Sequence, residues 1–157
     1  MLREIMINEQ KAVPAIYKAA AELKTGMGVV IDLETETAAV PSAASSADIY
    51  LVDKERVPTG ANAARTNFSD YEEEFNTVAK DELVKLHHYC AGEQFATDQF
   101  TGTIEVGEAV EVGTNGKWAK ATAASVYVCA DPAHMDAGHT LLRIIVKDTA
   151  VTNASNT

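Results

Sequence analysis

Apolar and polar residues alternate along much of the chain, and the clearest alternation lies within residues 92–121. Its two interleaved sets are Ile104, Val106, Val110 and Val112 against Thr103, Glu105, Glu108 and Glu111. Because successive side chains of a strand point to opposite faces, the pattern predicts a half-buried sheet with carboxylates on its outer face. Asn115-Gly116 then favours a tight type I′ turn, after which Trp118 can cover the core. We therefore expect a β-hairpin here.

Short β-prone segments recur on both sides of this hairpin, separated by glycine, proline or charged turn residues. They span residues 28–33, 37–40, 47–53, 75–79, 82–89, 125–130 and 140–147. Turn signals at such regular spacing are typical of all-β architectures. The sequence therefore predicts a mainly β fold, a small β-barrel or sandwich of about nine strands with at most one short helix.

The N-terminal region shows a helical pattern instead. Ile16, Ala20 and Leu23 recur at i, i+4 and i+7, and Pro14 suits the first turn of a helix. We expect residues 1–24 to form an N-terminal arm that contains this short helix. A β domain then covers residues 25–148 with a long excursion at 54–74, and residues 149–157 form a polar C-terminal tail.

Length and charge restrict the classes of partner. The chain has 157 residues, enough for one compact domain, and its 13 Lys+Arg against 23 Asp+Glu give a formal net charge of −10. Such a surface repels a polyanion, so nucleic acid is not an expected partner. The longest aliphatic run, residues 141–146, is interrupted by Arg143 and is far shorter than the roughly 20 residues that cross a bilayer. With no secretory pattern at the start, we expect synthesis in a cytoplasm and no membrane partner.

Two cysteines and a group of histidines are the candidates for metal or redox chemistry. Cys90 and Cys129 are far apart and neither belongs to a CxxC pair, so two buried thiols are expected, with a disulfide as the alternative. The residues that could form a metal site are His87, His88, Cys90, His134 and His139. Structural zinc sites usually show paired ligands at short fixed spacings, and only half of such a pattern is present. Ordinary half-buried side chains are the favoured interpretation.

Two charged segments remain. Residues 131–139 contain two carboxylates and two imidazoles, which suits acid–base chemistry, but they also fit a polar loop between two strands, the interpretation we favour. The acidic run at 70–74 lacks the spaced ligands of a calcium loop and predicts a solvated face, or else a patch steered toward a basic partner. Nucleophile-elbow, Walker and dinucleotide-binding motifs are missing from the sequence. We therefore assign no catalytic, cofactor-binding or metal-binding residue and do not expect an enzyme.

Three segments resemble a known class of virus protein in the order and spacing of their strand-like residues: LKTGMGVVIDLETETAAVP, ADIYLVD and GEQFATDQFTGTIEVGEAVEVGTNGKWAKA. Over roughly residues 23–130 the chain resembles the small β-rich capsid decoration, or cement, proteins of tailed bacteriophages. In that family a glycine-led strand follows a polar N-terminal arm, and Gly-x-x-Val-x-Val strands close a small barrel. This chain departs from the compact members in its 54–74 excursion and its YEEE run.

The resemblance implies a virion structural protein, made in the host cytoplasm, that stabilises the capsid from the outside. Its implied partner is the major capsid protein, held by the N-terminal arm or long loops of a trimer or dimer. The acidic charge suits an exterior position, away from packaged DNA. Two other functions stay open: a phage tail, baseplate or receptor-binding module built on the same fold, and, less favoured, a small metal-dependent enzyme that uses the histidines and cysteines.

Overall fold

The computed structural model describes residues 1–6, 11–13, 16–54 and 75–154, with the backbone alone for 11–13. Within these residues the protein contains fourteen strands and no helix, which confirms the mainly β class. The strands are β1 (Leu2–Met6), β2 (Lys11–Val13), β3 (Lys18–Ala19), β4 (Leu23–Lys24), β5 (Gly28–Asp32), β6 (Thr37–Ala39), β7 (Tyr50–Asp53), β8 (Thr77–Val78), β9 (Lys85–His88), β10 (Gln94–Thr97), β11 (Val110–Val112), β12 (Trp118–Lys120), β13 (Ser125–Asp136) and β14 (His139–Val151). They outnumber the expected nine because several have only two or three residues, too few to show alternation.

The described strands form four sheets, one of them curled into a half-barrel. A four-stranded antiparallel sheet has the order β1-β10-β14-β13, and a six-stranded sheet has the order β2-β9-β7-β5-β6-β3. Within the six-stranded sheet β3 runs parallel to β6, while the other pairs are antiparallel. The pairs β11-β12 and β4-β8 complete the fold.

The six-stranded sheet is buried on both faces. On β7, Leu51 belongs to a first core and its neighbour Val52 to a second. The segment around β9 repeats this division, with Tyr89 in the first core and Leu86 in the second. The first core also takes in side chains of the four-stranded sheet and of β11-β12, namely Phe95, Val110, Val112, Trp118, Tyr127, Leu142 and Ile144. The functional surface of this sheet is therefore restricted to its edges and ends.

The predicted hairpin is present as β11 and β12, but its turn and its approach differ from the prediction. Gly116 N donates to Gly113 O and Gly113 N donates to Lys117 O, both at 2.9 Å. Gly116 has a φ of 74°, whereas Asn115 is not among the residues with positive φ. A type I′ turn needs positive φ at both centres, so that prediction is wrong. The loop is one residue longer and ends in a left-handed glycine, as in three-residue hairpins.

The alternation predicted before β11 is wrong upstream of Val110. Glu108 N donates to Glu105 O at 3.1 Å, and Gly107 between them has a φ of 84°. This turn leaves Val106 64% exposed. Glu111, expected on an outer face, is buried and accepts hydrogen bonds from Thr122 N and Oγ1, both at 3.0 Å.

The helix expected in the N-terminal region is also wrong for the described residues 16–24. They contain β3, which pairs with β6, and β4, which pairs with β8. The proposed apolar stripe does not share one environment, since Leu23 is buried while Ile16 is 60% exposed. Pairing with distant strands overrides the local pattern. The arm itself begins as β1, an edge strand paired with β10.

The C-terminal half ends in a long hairpin where a polar loop and a tail were expected. β13 runs to Asp136 and β14 starts at His139, so residues 131–136 are strand and the loop interpretation is wrong. Ala137 and Gly138 have φ values of 46° and 86°, the double positive φ of a type I′ turn. Register shifts between Asp131 and His134 accommodate Pro132, which a regular ladder would exclude.

The predicted boundary at residue 148 is likewise corrected, because β14 continues to Val151. Beyond it, the Asn153 side chain accepts from Ala109 N at 2.7 Å and donates to Ala109 O at 2.9 Å and Ala121 O at 2.8 Å. The first tail residues are thus bound to the fold. Almost all of the predicted 54–74 excursion, from residue 55 on, lies outside the described residues and stays a prediction.

The geometry of this three-residue loop predicts that substitutions at Asn115 and Gly116 change stability unequally. Gly116→Ala should lower the free energy of unfolding by about 1–2 kcal/mol, because alanine resists positive φ. Its Cβ would also lie 2.9 Å from Val40 Cγ1. Asn115→Asp should be nearly neutral, since it keeps the acceptor 3.0 Å from Lys117 N. Urea unfolding followed by the fluorescence of Trp118, the single tryptophan, measures both. Equal losses would contradict this turn.

Candidate functional site

A polar depression lies between β1 and the six-stranded sheet. Its volume is about 390 Å³, and its lining residues are Leu2, Arg3, Glu4, Asp53, Lys85 and His87. We call it the β1 cleft. Four of its residues carry charge at neutral pH and a fifth is a histidine, so electrostatics dominate its chemistry.

Strand register explains how the six-stranded sheet supplies its part of the cleft. Asp53 is the cross-strand partner of Lys85, and Leu51 is the partner of His87. Residues two apart on a strand share a face, so Lys85 and His87 project together and Asp53 joins them from β7. Glu4 comes from a different sheet, because β1 pairs with β10.

His87 connects the two sheets through both nitrogens of its ring. Nε2 donates to Asp53 Oδ2 at 3.1 Å, and Nδ1 lies 3.4 Å from Glu4 Oε1. The residue is 7% exposed, and its ring stacks on Tyr89 with centroids 6.3 Å apart. His87 thus contacts Asp53 of β7 and Glu4 of β1 from opposite sides of one ring.

The Asp53 carboxylate is the best satisfied group of the cleft. It accepts from Lys54 N at 2.9 Å and His87 Nε2 at 3.1 Å, and it lies 3.1 Å from Lys85 Nζ. Burial acts to raise the pKa of Asp53, but the hydrogen bonds from His87 and Lys85 outweigh it and hold the pKa below its usual value. The carboxylate therefore stays ionised at neutral pH and holds the His87 ring in place.

The described lining of the cleft lacks the side chains most often activated by a histidine. None of its described lining residues is a serine, threonine or cysteine, the side chains that an adjacent imidazole commonly deprotonates. The geometry instead suits a clamp that holds β1 against the body of the protein.

The other histidines proposed as metal ligands each contact a different residue. The ring centroid of His88 lies 5.2 Å from that of Tyr50. His134 Nδ1 lies 3.7 Å from Asp131 Oδ2, and His139 Nδ1 lies 3.7 Å from Asp98 Oδ2. Across the part of the chain that the structure describes, no three His, Cys, Asp or Glu side chains are grouped to hold a metal ion. The candidates His87, His88, Cys90, His134 and His139 are not brought into one site.

Neither cysteine forms a disulfide in the described structure, and the two lie in different surroundings. Cys129 is 1% exposed in the first core, which confirms its expected position, and burial raises the pKa of its thiol. Cys90 is only half-buried, so the expectation of a second buried thiol is wrong, and its backbone N donates to Glu93 Oε2 at 2.7 Å. The alternative of a disulfide between them is not realised.

A second depression of about 360 Å³ lies where β5 ends and β7 begins. It is lined by Tyr17, Val30, Ile31, Leu33, Ala47, Asp48 and Tyr50, and we call it the tyrosine groove. Asp48 adopts a left-handed backbone with a φ of 51°. Burial raises the pKa of Tyr127 in the first core, and the nearby Asp48 carboxylate raises it further. The Asp48 carboxylate therefore lies close to the border of the core.

The third feature is the outer edge of β1. Among the described residues β10 is the only strand paired with β1, so the other edge of β1 has no strand partner there. Ile5 is 46% exposed and Met6 49% exposed on this strand. Arg3 forms an ion pair with Asp136, and Glu4 is directed to His87. The charges of β1 are thus used within the protein, and its apolar end faces outward.

None of these features was predicted from the sequence. Alternation within residues 82–89 places Lys85 and His87 on one face, and this was the available signal for the β1 cleft. Asp53 and Glu4 could be added only with the order of the strands. Asp48 carries a weaker signal, because aspartate is enriched among non-glycine residues with left-handed φ.

Comparisons with known proteins leave the family open. No protein-family model matches the chain, and no curated protein matches it significantly. Of the residues that the structure describes, none forms a helix long and apolar enough to span a membrane.

Asp53→Asn should lower the free energy of unfolding at pH 7 by about 1.5–3 kcal/mol, because it removes a half-buried charge that accepts hydrogen bonds from His87 and Lys54. The folded-state pKa of Asp53 is lowered, so its contribution is present at neutral pH and is lost as the pH falls through that value. Urea titrations at a series of pH values should therefore show the deficit narrowing below about pH 4.

Asp148→Asn is the matched control. Asp148 is exposed on β14, and no hydrogen bond or ion pair to its side chain is present within the described residues. It should change stability little at any pH. A deficit for Asp53→Asn that is as large at pH 3 as at pH 7 would contradict the ionic clamp.

Proposed function

We propose that this protein is a structural component of a bacteriophage particle that binds the outside of the capsid, through the major capsid protein, and stabilises it. The resemblance of residues 23–130 to capsid decoration proteins supports the proposal. The mainly β fold of the described residues is compatible with that family pattern.

The observation that carries the proposal is the outer edge of β1. An edge strand with unpaired backbone groups can add to a strand of another protein, and exposed apolar side chains beside it supply contact area. Natural edge strands are usually protected by charges or proline. The end of β1 has Ile5 and Met6 exposed instead, which is unusual for an edge that meets only solvent.

The attachment of β1 to the body supports the same proposal. Arg3 pairs with Asp136 and Glu4 contacts His87, so β1 is held in an extended conformation before any partner arrives. A preorganised strand loses less conformational entropy on binding than a free arm. A trimer or dimer would present several such edges to a symmetric shell and would gain affinity by multivalency.

Binding to capsids tests the proposal directly. Purified protein should co-sediment with expanded, undecorated heads of the phage that carries its gene, and should raise the temperature at which the heads release DNA. The double variant Ile5→Lys/Met6→Lys should bind about tenfold more weakly or worse, because two apolar contacts are replaced by charges on an edge. Quantitative sedimentation over a protein concentration series measures the change.

Val106→Lys is the matched control, since Val106 is 64% exposed in a turn away from β1. It should bind heads like the unmodified protein. If the β1 variant binds as well as the control, the edge is not the capsid contact. If the unmodified protein ignores heads and labels purified tails, the capsid assignment itself fails and the tail or baseplate alternative replaces it.

A further inference from the structure

The tyrosine groove combines aromatic surface with a single charge. Tyr17, Ile31 and Tyr50 are partly buried and pack against the second core, which fixes the walls. Leu33 stands at its margin with 77% of its surface exposed. Among the described lining residues, Asp48 supplies the one carboxylate. A ligand in this groove would therefore meet apolar and aromatic walls and one negative charge.

The Asp48 carboxylate has no internal use in the described structure. No hydrogen bond or ion pair reaches its side chain from any described residue, and the residue is exposed. Its left-handed backbone, with a φ of 51°, costs of the order of 1 kcal/mol or more relative to an extended conformation. An unpaired carboxylate held in a strained conformation beside two tyrosines is a feature that an external cation would satisfy.

The surroundings of the groove are also negative. The turn that carries Leu33 contains Asp32, Glu34 and Glu36, all exposed. Among the described residues, Lys18 is a cation near this turn, since β3 pairs with β6 directly after it. None of the lining residues described here is Lys, Arg or His. The local field therefore favours a positive group, in agreement with the net charge of −10.

We infer that the tyrosine groove binds an arginine side chain presented by an exposed segment of a partner protein. The guanidinium would pair with the Asp48 carboxylate while its plane lies against a tyrosine ring. Arginine fits better than lysine, because its planar, weakly hydrated group can stack and form a carboxylate pair at once. An apolar neighbour of the arginine would contact Leu33. The inference holds for any partner and does not depend on the capsid proposal.

A pair of peptides tests the inference on the full chain. Acetyl-Leu-Arg-Leu-amide is titrated into ¹⁵N-labelled protein and compared with the same peptide carrying citrulline, which has nearly the shape of arginine without its charge. The arginine peptide should cause saturable shifts at the amides of Tyr17, Leu33, Asp48 and Tyr50. The citrulline peptide should bind about fivefold more weakly or worse, and added salt should reduce the difference.

Asp48→Asn identifies the carboxylate. Asparagine tolerates left-handed φ, so the fold should persist, and the preference for arginine over citrulline should disappear. Asp148→Asn should keep the preference. Equal binding of the two peptides to the unmodified protein, or saturable shifts confined to residues outside the groove, would overturn the inference. No capsid enters this assay, so its failure is distinct from a failure to bind heads.

Discussion

A row of four buried aromatic rings holds the sheets together. Tyr89 lies 4.7 Å from Phe95, Phe95 5.5 Å from Trp118, and Trp118 4.9 Å from Tyr127 between ring centroids. The rings come from the residue after β9, from β10, from β12 and from β13, so the row joins three sheets. Tilted and edge-on aromatic pairs each add about 0.5–1.5 kcal/mol beyond the area they bury. The arrangement of the first core depends on their shape.

Hydrogen bonding contributes little to this row. Trp118 Nε1 and the Tyr89 hydroxyl are buried and have no hydrogen-bond partner in the described structure, while the Tyr127 hydroxyl donates to Ile49 O at 3.4 Å. Leaving such groups unpaired costs roughly 1–3 kcal/mol each. Apolar packing must offset that cost, which makes the core sensitive to any change of ring volume. Surface features can vary more freely because they lie outside this constraint.

Some of this structure follows from local pattern and some does not. β propensity and turn residues located the segments that became β5, β6, β7 and β9, where buried side chains such as Leu51 and Val52 are divided between the two cores. The helical spacing of Ile16 and Leu23 gave a wrong prediction, because β3 and β4 pair with distant strands. Alternation failed at Val106, where a turn at Gly107 interrupts an apparently regular series. Local residues could not reveal these pairings, since the partner strands are far away in sequence.

The sites show the same division. Lys85 and His87 share a face by period alone, yet the clamp exists only because Glu4 arrives from another sheet and Asp53 from a neighbouring strand. The groove is further from prediction, since its two tyrosines belong to segments that meet through the order of β3, β6, β5 and β7. A sequence pattern can thus suggest which side chains share a strand face. It cannot suggest which faces will border one depression.

The positions of Arg3 and Glu4 explain both how β1 is attached and why its apolar end is exposed. Arg3 and Glu4 are the charged residues of β1, and charges on an edge strand normally discourage other strands from pairing. Here Arg3 is paired with Asp136 and Glu4 lies against His87, so both side chains are engaged with the body of the protein. The same contacts that fix β1 remove its protection. An edge that is rigid and poorly protected is suited to a partner strand.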